Sequence, residues 1–184
     1  MRLLGWFMNL GLRLAMVGVL FEALRHPDDH RFRGKAIGKR GLVMIPLSLL
    51  VPLAHRWRPR LAARPYPVWT DNLWLSVSVL DLAGNHFDWY DTYRYFDAIP
   101  HAHGTGAATV VVAELAGMPA LSAVGAAQVG HILLEAQEYY SDVWFGLHNV
   151  RGAWDTVNDL LAGAAGSVLY AGVLALARGR PGAG

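Results

Sequence analysis

Apolar residues alternate with polar loops along the whole chain. The six apolar segments cover residues 3–24, 41–54, 68–84, about 101–117, about 119–140 and about 155–177. A helix needs about 20 mostly apolar residues to cross a bilayer, and several of these segments approach that length. The pattern therefore predicts an all-α fold, a polytopic membrane helical bundle with about four to six transmembrane helices.

The second segment is short for a transmembrane helix and contains Pro46 and Pro52. We expect it to be kinked, tilted or extended into its flanks. The loops on either side, residues 26–40 and 55–67, are both basic, so the positive-inside rule does not define the orientation. A cytoplasmic loop and a loop that binds lipid headgroups are the two interpretations of residues 26–40.

The composition supports a membrane protein. Hydrophobic residues make up 54% of the chain and charged residues only 16%, whereas soluble domains average about 25% charged residues. Seven Trp and seven Tyr residues fit anchoring at the membrane interface. The chain has no Cys, which excludes disulfides and thiol chemistry. No zinc-finger spacing, RNA-binding motif or phosphate-binding glycine loop is present, so we expect no nucleic-acid partner.

We expect a single membrane-embedded helical domain over residues 1–177, followed by a flexible C-terminal tail over residues 178–184. Glycine and alanine are frequent in the fourth and sixth segments. Small residues of this kind allow two membrane helices to approach closely.

A polar stripe runs along the end of the fifth segment. His131, Glu135, Glu138 and Asp142 are spaced at i, i+4, i+7 and i+11, which places them on one face of a helix. Asp155 and Asp159 repeat the i, i+4 spacing at the start of the sixth segment. Ionisable residues inside apolar helices are costly, and they predict a functional site by default. Acids at helix ends also occur in the headgroup region, or beside the helix dipole, without any function.

A second polar cluster precedes the fourth segment and contains His86, Asp88, Asp91, Asp97, His101 and His103. Asp97 and His101 are four residues apart, and Pro100 fits the first turn of a helix. If the fourth segment crosses the membrane, both clusters lie at the same face and can share one cavity. Arg94 and Arg151 are the nearest cations by sequence, and they could neutralise the acids instead of a metal.

Imidazole and carboxylate ligands without a thiolate suit a divalent metal ion such as zinc, iron or manganese. The catalytic candidates are Glu135, Glu138 and Asp155. The predicted metal ligands are His86, Asp91, Asp97, His101, Glu135, Glu138, Asp155 and Asp159.

Three functional hypotheses remain open from the residues. The first is a metal-dependent membrane enzyme that acts on a lipid or polyprenyl-type substrate. The second is a proton- or cation-coupled transporter or channel-like protein. The third is a non-enzymatic subunit of a membrane complex. Membrane lipids are the expected partners, with a homo-oligomer or a membrane-complex partner as the protein partners to consider.

The second half of the chain resembles the YjdF-like group of bacterial inner-membrane proteins (DUF2238), and is more loosely similar to VanZ-like proteins. The resemblance covers about residues 80–169. It rests on an ordered series of motifs: Gly84-Asn85-His86, Tyr90-Asp91-Thr92, Asp97 with His101, Glu135 with Glu138, Gly152, and Trp154-Asp155-Thr156 with Asp159. His103, His131 and His148 lie outside this pattern. The resemblance implies a small, multi-pass helical protein of the bacterial inner membrane, and it implies no known reaction.

Overall fold

A computed structural model describes residues 2–147, 150 and 152–179. Within these residues every long regular element is an α-helix, as the apolar pattern predicts. The chain divides into two compact units, Met1–Phe96 and Asp97–Gly184. Whether they together form the single domain expected from the sequence stays a prediction.

Three long stretches of helix build the first unit: α1 (Arg2–Arg25), the broken pair α2 (Ile37–Leu47) and α3 (Leu50–Trp57), and α5 (Val68–His86). The short helices α4 (Pro59–Ala62) and α6 (Trp89–Thr92) lie before and after α5. Contacts pair the start of α1 with the start of α5 and the end of α1 with the end of α5, so the two helices run parallel. The chain returns between them through α2 and α3.

The second apolar segment is interrupted between α2 and α3, at Ser48 and Leu49. The break exposes backbone carbonyls, and side chains donate to three of them. Ser48 Oγ donates to the carbonyl of Ile45 at 2.7 Å, and Trp74 Nε1 donates to that of Leu47 at 2.7 Å. Arg13 donates to the carbonyl of Ser48 at 3.2 Å. A broken helix survives in an apolar setting only when such donors are present.

A buried polar network joins α1 to α5. Asp71 is fully buried, and its Oδ2 accepts hydrogen bonds from Asn9 Nδ2 at 2.8 Å, Arg13 at 2.8 Å and Tyr66 OH at 2.7 Å. Asn9 also donates to the side chain of Asn72, which in turn donates to the carbonyl of Gly5. Arg13 thus neutralises a carboxylate that burial would otherwise make very costly.

The loop between α1 and α2 is held by ion pairs. Arg31 contacts Glu22 at 2.9 Å and Asp29 at 2.8 Å. Its hydrogen bonds lower the pKa of Asp29, and the same bonds raise the pKa of Arg31. Arg31 also donates to the carbonyl of His86 at 3.1 Å, which ties the loop to the end of α5.

The second unit is a three-helix bundle of α7 (Ala98–Ala116), α8 (Ala120–Phe145) and α9 (Ala153–Arg178). Glycine ends α7 and α8, at Gly117 and Gly146, in the left-handed conformation that glycine adopts most readily. Pro100 lies in the first turn of α7, where the sequence predicted it. Helices α7 and α9 pack against each other in parallel, and α8 is antiparallel to both.

Glycines bring α7 and α9 into close contact. A methyl group at Gly166 would overlap the backbone carbonyl of Ala102, and one at Gly106 would overlap the ring of Tyr170. Thr105 and Ser167 lie in the same interface, and Gln128 of α8 donates to Ser167 Oγ at 3.0 Å. Small residues therefore set the helix spacing in this unit.

In the part of the chain that the structure describes, three helical stretches are long and apolar enough to cross a membrane: Arg2–Arg25, Ile37–Trp57 and Ala153–Arg178. Large apolar side chains are exposed on them, for example Phe7 at 65%, Leu42 at 81% and Leu176 at 73%. Polar residues such as Asp71 and Ser167 are buried instead. This distribution suggests a membrane protein, because lipid-facing surfaces are apolar and polar groups face the bundle interior.

Candidate functional site

A triangle of nitrogen and oxygen atoms lies inside the second unit, with one corner on α7 and two on α8. His101 Nδ1 is 2.8 Å from His131 Nε2. Glu135 Oε1 is 3.4 Å from His101 Nδ1 and 3.3 Å from His131 Nε2. His131 and Glu135 are one helical turn apart on α8, which is why both reach the same point on α7. We call His101 Nδ1, His131 Nε2 and Glu135 Oε1 the atom triangle.

His101 also contacts two carboxylates through its second ring nitrogen. His101 Nε2 is 3.5 Å from Asp97 Oδ1 and 3.8 Å from Asp159 Oδ1. Asp97 precedes His101 by one turn at the start of α7, and Asp159 lies on α9. The His101 ring therefore joins the atom triangle to the carboxylates of Asp97 and Asp159. Two groups of three residues have metal-ligand spacing among the described residues: the atom triangle, and His101 with Asp97 and Asp159.

The atom triangle is buried. The side chains of His131, Glu135 and His101 are 2%, 6% and 11% exposed. Glu135 Oε1 and His131 Nδ1 accept or donate no hydrogen bond among the described residues, and water does not reach either atom. A buried carboxylate oxygen without a donor is costly, so a proton or a cation is expected beside it.

Basic residues are scarce around this site. The sequence contains no Lys or Arg between Tyr95 and Val150. In the first unit, by contrast, Arg13, Arg31 and Lys35 each pair with an acid. Arg151, one of the two counter-charges considered from the sequence, lies outside the described residues, and Arg94 lies in the first unit over the ring of Tyr95. Among the described residues of the second unit, the only Lys or Arg is Arg178, at the end of α9 far from Asp159.

The atom triangle fits a tetrahedral metal ion. Ligand atoms on such an ion are about 3.3 Å apart when each metal–ligand distance is about 2.0–2.1 Å. The two distances to Glu135 match this spacing. The shorter distance between His101 and His131 is that of a hydrogen bond, which a shared proton makes in place of a metal. Two histidines and one glutamate with a fourth position left open are the ligand set of several catalytic zinc sites.

The carboxylates of Asp97 and Asp159 fit a supporting role. Histidines that bind a metal usually donate their other ring N–H to a carboxylate, which fixes the ring orientation and the tautomer. His101 Nε2 faces both acids while Nδ1 faces the atom triangle. The structure thus brings together four of the predicted ligands, Asp97, His101, Glu135 and Asp159.

The other acids of the polar stripe lie nearby. Glu138 and Asp155 are half-buried, each within one turn of Glu135 or Asp159 along its own helix. They are not part of the two ligand groups found among the described residues, and both make other contacts. Asp142 accepts a hydrogen bond from the backbone N–H of Val150 at 2.8 Å, so it holds the loop after α8.

His86 and Asp91 belong to the first unit and have partners there. His86 Nδ1 is 2.9 Å from Glu22 Oε2, and Asp91 Oδ2 is 2.6 Å from Lys35 Nζ. The structure does not bring either residue into the ligand groups of the second unit. The two polar clusters meet through Asp97 and His101, which lie beside Glu135 and Asp159. The predicted role of His86 and Asp91 as metal ligands stays a prediction.

His131 is a site residue that the predicted ligand set omitted. It belongs to the polar stripe and precedes Glu135 by four residues, so the spacing contained the necessary signal. His103 lies outside the atom triangle, and its Nδ1 is 2.7 Å from Tyr170 OH on α9. His148 lies outside the described residues.

A cavity of about 660 Å³ opens at the same end of the second unit. Its wall includes Tyr139, Val143, Leu147, Val150 and Thr156, with the carboxylate of Asp142 among mostly apolar groups. Tyr139 follows Glu135 by one helical turn, and Thr156 precedes Asp159 by about one turn. The cavity therefore lies next to the site and nearer the helix ends.

Comparisons with known protein families, with curated proteins and with solved structures find no match for this chain. The resemblance to the YjdF-like group accordingly stays a prediction.

Proposed function

We propose that this chain is an integral membrane protein that binds a divalent metal ion through His101, His131 and Glu135, and that it acts as a metal-dependent enzyme on a lipid or polyprenyl-type substrate. The observation that carries the proposal is the buried Glu135 oxygen, which has no hydrogen-bond donor and lies 3.3–3.4 Å from two imidazole nitrogens. A metal ion would replace the proton shared by the two imidazoles and would neutralise this oxygen.

The number of protein ligands supports a catalytic metal site more than a structural one. Three protein ligands leave a fourth position for water or substrate, whereas structural zinc sites have four protein ligands. When bound there, a metal ion would polarise an oxygen of the substrate or activate a water molecule. Glu138 and Asp155 each lie about one turn from a site carboxylate, and under this proposal they would hold or release a proton near that position.

The cavity and the outer faces of the helices support a lipid-type substrate. The volume of about 660 Å³ lies within the range of small-molecule sites, and the lining is mostly apolar. Leu133 on α8 and Leu161 on α9 are exposed at 64% and 63%. A substrate with an apolar chain would reach this end of the bundle from the bilayer, and its polar group would approach Glu135.

The proposal is tested by incubating the purified protein with membrane lipid extract and following the lipids by mass spectrometry. We expect metal-dependent conversion of one lipid class, lost on chelation and lost in Glu135→Gln. Glu114→Gln is the matched control, because Glu114 lies at the opposite end of α7 and its loss should leave conversion unchanged. Conversion that survives both chelation and Glu135→Gln would remove the proposed enzyme.

A transporter is the second candidate, and one observation favours it. The groups Asp97, His101, His131 and Glu135 form a continuous series with neighbouring atoms 2.8–3.5 Å apart, which is the spacing of a proton relay. The test is proton or cation flux in proteoliposomes without added metal. Flux that is lost in Glu135→Gln, in a protein that converts no lipid, would favour the transporter over the enzyme.

A further inference from the structure

One end of the first unit carries a concentrated positive charge. Arg56, Arg58, Arg60 and Arg64 lie within nine residues at the end of α3 and around α4, and all four are exposed. The sequence has no acidic residue between Asp29 and Asp71, and Asp71 is buried and paired with Arg13. We call these four arginines the arginine end.

The backbone that presents these arginines is fixed by specific contacts. His55 Nε2–H donates to the carbonyl of Arg64 at 3.1 Å, which closes the segment from α3 to α5. Tyr66 stacks on Trp6 with ring centroids 5.1 Å apart and donates to Asp71. Burial and this hydrogen bond raise the pKa of Tyr66, so its hydroxyl remains a donor at neutral pH.

Tryptophans surround the arginine end. Trp6, Trp57 and Trp69 belong to α1, α3 and α5, and their side chains are 49%, 73% and 44% exposed. Tryptophan concentrates at the level of the lipid headgroups, where its apolar ring and its polar N–H are both accommodated. This aromatic belt places the four arginines at headgroup level independently of their charge.

The opposite end of the same unit differs in charge. There Arg31, Lys35 and Arg40 are each within 4 Å of an acid: Glu22 and Asp29, Asp91, and Asp81 respectively. This end therefore carries several acids beside its cations, which include the exposed Arg25, Arg33 and Lys39, whereas no acid lies in the sequence between Asp29 and Asp71. An anionic membrane surface attracts such a mixed end less than an end rich in arginine alone. The two basic loops that look equivalent in the sequence are therefore different surfaces.

We infer that the arginine end binds the headgroups of anionic phospholipids in the surrounding bilayer. A guanidinium group recognises a lipid phosphate through paired hydrogen bonds. Each Lys or Arg near an anionic surface contributes about 1 kcal/mol, equivalent to roughly a fivefold preference per residue. The inference rests on the membrane insertion contained in the proposed function, but not on the metal site or on any reaction.

The test is quenching of tryptophan fluorescence by lipids with brominated acyl chains, in vesicles of phosphatidylcholine containing a minority of brominated lipid. The quencher is either brominated phosphatidylglycerol, which is anionic, or brominated phosphatidylcholine, which is zwitterionic. We expect phosphatidylglycerol to be enriched by at least about fivefold around the protein. The enrichment should fall to near one in Arg56→Gln/Arg60→Gln/Arg64→Gln.

The matched control is Arg25→Gln/Arg33→Gln/Lys39→Gln, which removes three exposed cations from the opposite end of the unit. It should keep the enrichment of the wild-type chain. Equal loss in both variants, or no enrichment in the wild-type chain, would overturn the inference. A wild-type chain that does not enter vesicles at all would instead contradict membrane insertion, so the two failures are distinguishable.

Discussion

At the scale of single residues, His101 has the most informative position in the second unit. Its two ring nitrogens face different groups, Nδ1 the atom triangle and Nε2 the acids Asp97 and Asp159. Under the proposed function, His101 would bind the metal through Nδ1, whereas Asp97 and Asp159 would only orient the ring.

The first prediction follows from that distinction. His131→Asn should abolish metal binding because it removes a ligand, whereas Asp159→Asn should weaken the affinity by about 10–100-fold and leave binding measurable. Competition of the purified variants with a chromophoric chelator gives both affinities. Equal losses in the two variants would contradict the separate roles.

A second prediction concerns the buried pair of Arg13 and Asp71. Arg13→Gln leaves a carboxylate that is fully buried, so we expect a loss of about 3–5 kcal/mol in the free energy of unfolding. Lys35→Gln breaks the pair with Asp91, whose side chain is 52% exposed, and should cost less than about 1 kcal/mol. Denaturation of both variants in detergent tests this, and similar losses in the two would be the contrary result.

The sequence predicted part of the site at this scale. The i, i+4 pairs on single helices were visible, and they bring Asp97 to His101 and His131 to Glu135. The topology also predicted that the cluster containing Asp97 and His101 could share a cavity with the polar stripe. Which side chains meet there depends on the packing of α7 against α8 and α9, and the sequence pattern does not define it. That packing explains why Asp159 approaches His101 while Glu138, on the same stripe as Glu135, is outside the two ligand groups.

At the scale of helices, the contact between α7 and α9 decides whether the site forms. Gly163 lies against His131 and Thr105, and Gly166 lies against the backbone of Ala102. A backbone cannot move away as a flexible side chain can, so the small residues of α9 are a condition for the geometry around His101.

The third prediction tests this contact. Gly166→Ala should destabilise the protein by about 1–3 kcal/mol and should also weaken metal binding, because α9 must move away from α7. Gly172→Ala is the control on the same helix. A methyl group there meets no atom within 4 Å, so the change should be neutral or should stabilise by up to about 1 kcal/mol. Thermal unfolding and chelator competition give both quantities, and equal effects at the two glycines would argue against the packing described.

Helix positions followed from the apolar pattern with errors of a few residues. The fifth segment extends to Phe145 in α8, five residues beyond its predicted end. The two prolines of the second segment predicted an irregular helix, and the structure has a break at Ser48 and Leu49. The donors that stabilise this break, Arg13 and Trp74, come from other helices and could not be inferred from local sequence.

At the scale of the whole molecule, the two units differ in how many Lys and Arg residues accompany their acids. In the first unit Asp71, Asp91 and Glu22 pair with Arg or Lys. Residues 97–184 contain only three Lys or Arg residues, Arg151, Arg178 and Arg180, and none of them lies between Asp97 and Asp142. Composition averaged over the chain, with a net charge of +2, hides this difference.

The fourth prediction concerns membrane insertion. Apolar exposed faces on Arg2–Arg25 and Ala153–Arg178 should keep the protein in the membrane fraction after extraction at alkaline pH, and only detergent should release it. Because the chain has no Cys, single Cys substitutions in the loops can then be labelled to count the crossings. Release by alkali alone would contradict membrane insertion.

The metal content of the purified protein tests the central claim most directly. Elemental analysis of the wild-type chain, purified in detergent and freed of loosely bound ions, should give about one zinc, iron or manganese ion per chain. The content should fall below about a tenth of that value in His101→Ala/His131→Ala. A wild-type chain that contains no metal, and whose thermal stability does not change when these ions are added, would contradict the account.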